Sequence, residues 1–176
     1  MRLALAFAAG LLSAALFAAP DRPTRGLLGH WDFSQVMAGI SPDASPEARD
    51  AELHGPTQVE GPFGRALALA GGGTSAVLPE IPSLDGSDEL TISCWVLWQD
   101  TGQYPNILTG GAWSPGGFMI FVSNDTCSFR MGRPGHKAGR AGDEWRETSA
   151  PLVNRIERGR WYHLAATFQR PRIVTY

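Results

Sequence analysis

The eight residues Trp161-Tyr162-His163-Leu164-Ala165-Ala166-Thr167-Phe168 decide the fold. Tyr162, Leu164, Ala166 and Phe168 alternate with Trp161, His163, Ala165 and Thr167, the period-two pattern of a strand that buries one face. The run Arg172-Ile173-Val174-Thr175-Tyr176 follows after Gln169-Arg170-Pro171 and reads as a second strand. A pair of this kind is stable only inside a larger sheet.

Moving outward, the rest of the chain shows more segments of strand length, separated by Gly, Pro, Asn, Asp and Ser, and no amphipathic helical run. LTISCWVLW (90–98) is apolar with little charge, as expected for a strand covered on both faces, which places Trp95 in the core. GFMIFVSNDTCSFRM (117–131) is a hairpin with Asn124, Asp125 and Thr126 at its turn and Phe118, Ile120 and Val122 facing inward. RALALAGGGTSAVLP (65–79) gives two short strands around a glycine turn. GLLGHWDFS (26–34) sets Leu27, Trp31 and Phe33 on one side of a strand and His30 and Asp32 on the other. Short strands at this spacing predict an all-β fold, a two-sheet antiparallel β-sandwich. The 21 glycines and 13 prolines supply its tight connections, because branched and aromatic residues are too frequent for a disordered chain.

The first nineteen residues carry one charge, Arg2, followed by an apolar run from Leu3 to Ala19. A membrane span needs about 20 apolar residues, so the run reads as a signal peptide. Phe17 and Pro20 fit a cut after Ala19 poorly, which leaves a cut after Ala18 or a retained leader open. Residues 20–26 form a linker and 27–176 one domain. Export makes the expected location secreted, cell-surface or periplasmic. Without Arg2, 14 basic residues face 17 acidic ones, a net charge of −3, which selects no charged partner. Cys94 shares a face with Ile92 and Val96, and Cys127 with Phe129 and Met131, so both look buried. An oxidising compartment permits them to pair, while buried free thiols are also common.

In order, GHWDFS, PDASPEARDAELHG, GPFGRALALAGG, LPEIPSLDGSDELTISCWVLW and RGRWYHLAATF resemble the laminin G-like domains of the concanavalin A-like lectin and glucanase superfamily. The resemblance runs from about Leu27 to Tyr176 and implies a jelly-roll sandwich. It also implies that the opening Trp-x-Phe strand pairs with a late strand beyond the position of Tyr176. The domain is therefore expected to be incomplete at its C-terminus, with an open sheet edge and poor solubility. Asp43 matches the aspartate of a family loop whose oxygens hold calcium, and Ca²⁺ needs about 6–8 of them; the alternative is that Asp43 caps a turn. Pro46 and Ala48 stand where that loop has glycines.

Catalytic signatures are missing. Related sandwiches hydrolyse β-glucans with paired carboxyls on a Glu-x-Asp-x-x-Glu strand, whereas Asp85, Asp88 and Glu89 and also Asp143, Glu144 and Glu147 fall in turns or loops. No Gly-x-Ser-x-Gly, Cys-x-x-Cys, His-Glu-x-x-His or phosphate-binding loop occurs. Arg130, Arg133, His136, Lys137 and Arg140 form a basic stretch, read as a solvated loop rather than a nucleic-acid site because the protein is acidic and exported. Tyr104, Trp113 and Trp145 lie among loop residues and are the expected carbohydrate contacts, since exposed rings stack on the apolar faces of sugars. Asn124-Asp125-Thr126 fits a glycosylation acceptor. The reading is a secreted, non-catalytic module that binds a glycan or an extracellular protein, or else the accessory part of a larger secreted glycoside hydrolase.

Overall fold

The computed structural model describes residues 25–84, 87–99, 105–111, 117–132, 149–170 and 172–176. Twelve strands follow in chain order: β1 Ile40–Ser41, β2 Ala51–His54, β3 Thr57–Gly61, β4 Gly64–Ala68, β5 Ser75–Val77, β6 Glu89–Leu97, β7 Asn106–Gly110, β8 Phe118–Ser123, β9 Thr126–Met131, β10 Ser149–Val153, β11 Trp161–Gln169 and β12 Arg172–Thr175. A single 3₁₀ turn, Pro82–Leu84, is the only helical element among the described residues. Every strand pair is antiparallel.

Two sheets face each other. One runs β10-β9-β8-β7 and the other β12-β11-β6. Between them lies a core of Ile120, Val122, Cys127, Phe129, Leu164, Ala166 and Phe168, with Leu90, Ile92, Cys94 and Val96 packed against it. The alternation read from 161–168 holds: Leu164, Ala166 and Phe168 are buried and His163 is exposed. Tyr162 is half-buried, and its hydroxyl accepts a hydrogen bond from the Glu157 amide at 2.9 Å.

The β8–β9 hairpin also forms as read. Asn124 and Asp125 make its two-residue turn, both with positive φ, 49° and 62°. That is the mirror-image turn whose twist matches the flanking strands and which tolerates Asn and Asp. Ile120 and Val122 face the core, and Phe118 packs against it.

Two expectations need correction. Strand β6 is not covered on both faces: Glu89, Thr91, Ser93 and Trp95 are exposed while Leu90, Ile92, Cys94 and Val96 turn inward. The segment 27–36 carries no strand, because Phe33 takes φ 57° and breaks the extended run. The two short strands around the glycine turn are present as β4 and β5; β4 pairs with β3, and β5 with β2. Gly71, Gly72 and Gly73, all at positive φ, carry the chain from one small sheet to the other.

Candidate functional site

The antiparallel register of β6 and β11 sets opposite each other, on the solvent face, Glu89 and Gln169, Thr91 and Thr167, Ser93 and Ala165, and Trp95 and His163. Trp95 is 46 % exposed although it is the largest side chain in the strand. Its ring lies against His163, with centroids 5.0 Å apart and planes tilted by 37°. The tip of the β3–β4 hairpin, Pro62-Phe63, reaches the same ring. Phe63 meets Trp95 edge-on at 5.0 Å and 69°, a favoured aromatic geometry.

Packing does not account for Phe63. It remains 79 % exposed, so about one fifth of its side chain is covered, and full burial of a Phe is worth about 1.5–3 kcal/mol. The contact with Trp95 therefore returns only roughly 0.3–0.6 kcal/mol on that scale. A cross-strand pair such as Trp95 and His163 adds about 0.2–1 kcal/mol. Three adjoining rings, with Phe63 largely and Trp95 nearly half uncovered, form an apolar platform flanked on one side by the partly buried pair Leu97 and Trp161 and on the other by Ser93, Ala165, Thr91 and Thr167. Such a platform can stack on the flat apolar side of another ring.

The sequence reading assigned Trp95 to the core, and the structure places it outside. The signal was present in the parity of LTISCWVLW, where Trp95 falls on the side of Thr91 and Ser93. Nothing local to Phe63 could have brought it to Trp95, since that contact depends on where a remote hairpin docks. Tyr104, Trp113 and Trp145 lie outside the described residues, as do Arg133, His136, Lys137 and Arg140. Arg130 stacks over the Phe121 ring at 4.3 Å.

Asp43 is buried and fully engaged. Oδ1 accepts from the amides of His30 (2.7 Å) and Ser45 (2.8 Å), and Oδ2 accepts from Ser45 Oγ (2.7 Å) and the Arg49 amide (3.0 Å). Desolvation pushes its pKa up, but the hydrogen bonds from Ser45, His30 and Arg49 outweigh it and hold the carboxyl below its ordinary value. A carboxylate has about four lone-pair sites, and all four are taken. Among the described residues no group of three or more His, Cys, Asp or Glu is placed to hold a metal ion. These donors do not fit the oxygen cage that calcium needs. Asp43 anchors a turn.

Cys94 and Cys127 are free thiols, not a disulfide. Burial pushes Cys94 up to about 11, and burial together with the neighbouring Cys94 pushes Cys127 up to about 12, so neither is a nucleophile near neutral pH. Of the acidic residues expected in turns, Asp88 precedes β6 and pairs with Arg170, whereas Glu89 is the first residue of strand β6, because it pairs with Gln169 in the β11 ladder, and accepts from Gln169 Nε2 at 3.0 Å.

Two antiparallel sheets packed around one shared core define an antiparallel β-sandwich. The Laminin_G_3 family model, of the concanavalin A-like lectin/glucanases superfamily, matches residues 70–176, and the chain belongs to this family. No curated protein and no solved structure matches the chain. Among the described residues, no helix is long and apolar enough to cross a membrane.

Proposed function

We propose that this protein is an exported, non-catalytic module that binds carbohydrate through Phe63, Trp95 and His163. The observation that carries the reading is the exposure of Trp95 in contact with two further rings, Phe63 and His163. A sugar ring has an apolar face of C–H groups and a rim of hydroxyls. Stacking removes that face and the rings from water together, at about 25 cal/mol per Å² of apolar area, while nearby hydroxyl and amide side chains satisfy the rim. Membership of a lectin-type superfamily supports the same class of ligand, and the Arg2-led apolar run supports export.

The test is binding of the full chain to an immobilised glycan array, alongside Trp95→Ala. The expected result is a defined set of glycan signals that Trp95→Ala weakens at least about tenfold, equivalent to 1.4 kcal/mol. The half-exposed ring contributes little to the fold, so the melting temperature should move by only a few degrees. Glycan binding untouched by the substitution, or binding to extracellular proteins alone, would remove the platform from this role.

A further inference from the structure

We infer that the β3–β4 hairpin is a hinged arm, latched to the sandwich by Phe63 on Trp95, so that the three rings form one surface only while the arm is down. The arm spans Gly55 to Thr74, and its two legs leave the β2–β5 ladder at one point. His54 and Ser75 are the last pair of that ladder, and a Cβ placed on the next residue, Gly55, would lie 3.5 Å from Thr74 Cγ2. Both legs then turn in conformations that suit glycine. Gly55 stands at φ 70°, and Gly71, Gly72 and Gly73 at 79°, 63° and 92°, the left-handed region that glycine enters without a Cβ penalty. A Cβ on any of Gly71, Gly72 or Gly73 would meet nothing within 4 Å, so packing does not fix that leg.

The hairpin itself is weakly supported. β3 and β4 make a two-stranded sheet of their own, and among the described residues they share extensive contact with each other and with no other strand. No residue from Gly55 to Thr74 is buried, and none belongs to the core between the two large sheets. The ion pair of Glu60 and Arg65, at 2.8 Å, is internal to the hairpin. Outward, Gln58 Nε2 donates to the Phe33 carbonyl at 2.8 Å near the base, and Phe63 meets the Trp95 ring at 5.0 Å at the tip. An isolated two-stranded hairpin is marginal in water, so this one depends on its latch. Segments with few buried apolar contacts open below the free energy of global unfolding. When Phe63 lifts, Trp95 and His163 stay paired on the β6–β11 ladder, and the platform loses its third ring. The arm thus sets how often the complete surface is presented. A ligand that needs all three rings binds the latched state alone, so its apparent affinity falls in proportion to the latched fraction, and its binding draws the arm down.

Amide hydrogen exchange of the full chain, followed residue by residue by NMR with no ligand present, tests the arm. The amides of β3 and β4 should exchange as one group, at least about a hundredfold faster than those of β8 and β9. Phe63→Ala and Trp95→Ala, their folds checked by circular dichroism, should each accelerate exchange in β3 and β4 at least about threefold, the size of a lost aromatic pair. The double variant should go no further than either single one, because the two substitutions remove the same contact. Hairpin amides in the wild type protected as well as those of β8 and β9 would overturn the inference, since the arm would then open only with the sandwich. Acceleration by Phe63→Ala that Trp95→Ala does not reproduce, or factors that multiply in the double variant, would overturn it too, because Phe63 would then act within the hairpin. Neither result bears on the carbohydrate reading, which the glycan array tests separately.

Discussion

Ala48 shows how a single position can hold a loop against its own preference. It stands at φ 49°, the left-handed region that costs a residue with a Cβ roughly 1–2 kcal/mol. The related loop has glycines in this stretch, and the backbone here keeps a glycine's conformation without the glycine. What holds it is the surrounding network: the Ala48 amide donates to the Ser45 carbonyl at 3.2 Å, and the next amide, Arg49, donates to Asp43. Ala48→Gly should therefore stabilise the protein. Relief of about 1–2 kcal/mol exceeds the roughly 0.4–1 kcal/mol lost because glycine frees the unfolded chain. Ala48 is exposed, so no packing is given up, and the net is a gain of about 0.5–1 kcal/mol, read as a higher denaturation midpoint at unchanged slope. An equal or lower midpoint would show that the loop carries no such strain. The sequence displayed the substitution for glycine but not its conformation, because φ at Ala48 is imposed by hydrogen bonds from residues several positions away.

At the level of elements, legibility followed partner dependence. Strand β11 and the β8–β9 hairpin were readable because each carries its own instructions, an apolar alternation in one and a two-residue Asn-Asp turn in the other. Residues 27–36 misled because the apparent alternation of Leu27, Trp31 and Phe33 is real in sequence and broken in space at Phe33. Instead of a ladder, that segment is fastened through side chains. Trp31 Nε1 donates to the Arg49 carbonyl at 2.9 Å, Gln58 Nε2 donates to the Phe33 carbonyl at 2.8 Å, and the His30 amide donates to Asp43. Asp43 is the hinge pin of this arrangement, and Asp43→Asn should loosen it. An amide group offers one acceptor oxygen in place of two, leaving buried donors unsatisfied at about 1–3 kcal/mol. The effect should fade in acid. A carboxyl held below its ordinary pKa stabilises the fold fully above the unfolded value of about 3.9 and loses that contribution as pH falls through the folded one. Denaturation midpoints of wild type and Asp43→Asn should thus differ most above about pH 5 and converge in stronger acid, with neither midpoint altered by calcium or by a chelator. A calcium-dependent rise in the wild-type midpoint would mean that the four hydrogen bonds open to admit a metal.

For the whole molecule, the central question is whether the two large sheets behave as one cooperative body. Their shared interior answers through two thiols, since Cys94 belongs to β6 in one sheet and Cys127 to β9 in the other, and both join the same core. Their placement inside was legible from the faces they share with Ile92 and Phe129. Their mutual approach was not, because it depends on how the sheets stack. Raised to about 11 and about 12, both are protonated at neutral pH, and thiolate is the species that alkylates. Iodoacetamide added to the native protein at pH 7.5 should therefore modify neither cysteine on a timescale at which a free thiol reacts completely. In denaturant without reductant, both should react. Partial denaturant separates the cases further. If the sandwich opens as a unit, the two modification rates rise together and follow the global transition, as expected for residues exposed only by full unfolding. Early labelling of Cys94 alone would show the β12-β11-β6 sheet detaching first, and with it the floor on which the platform stands. Failure of either cysteine to react in full denaturant until a reductant is added would show instead that the two sulfurs are joined across the core.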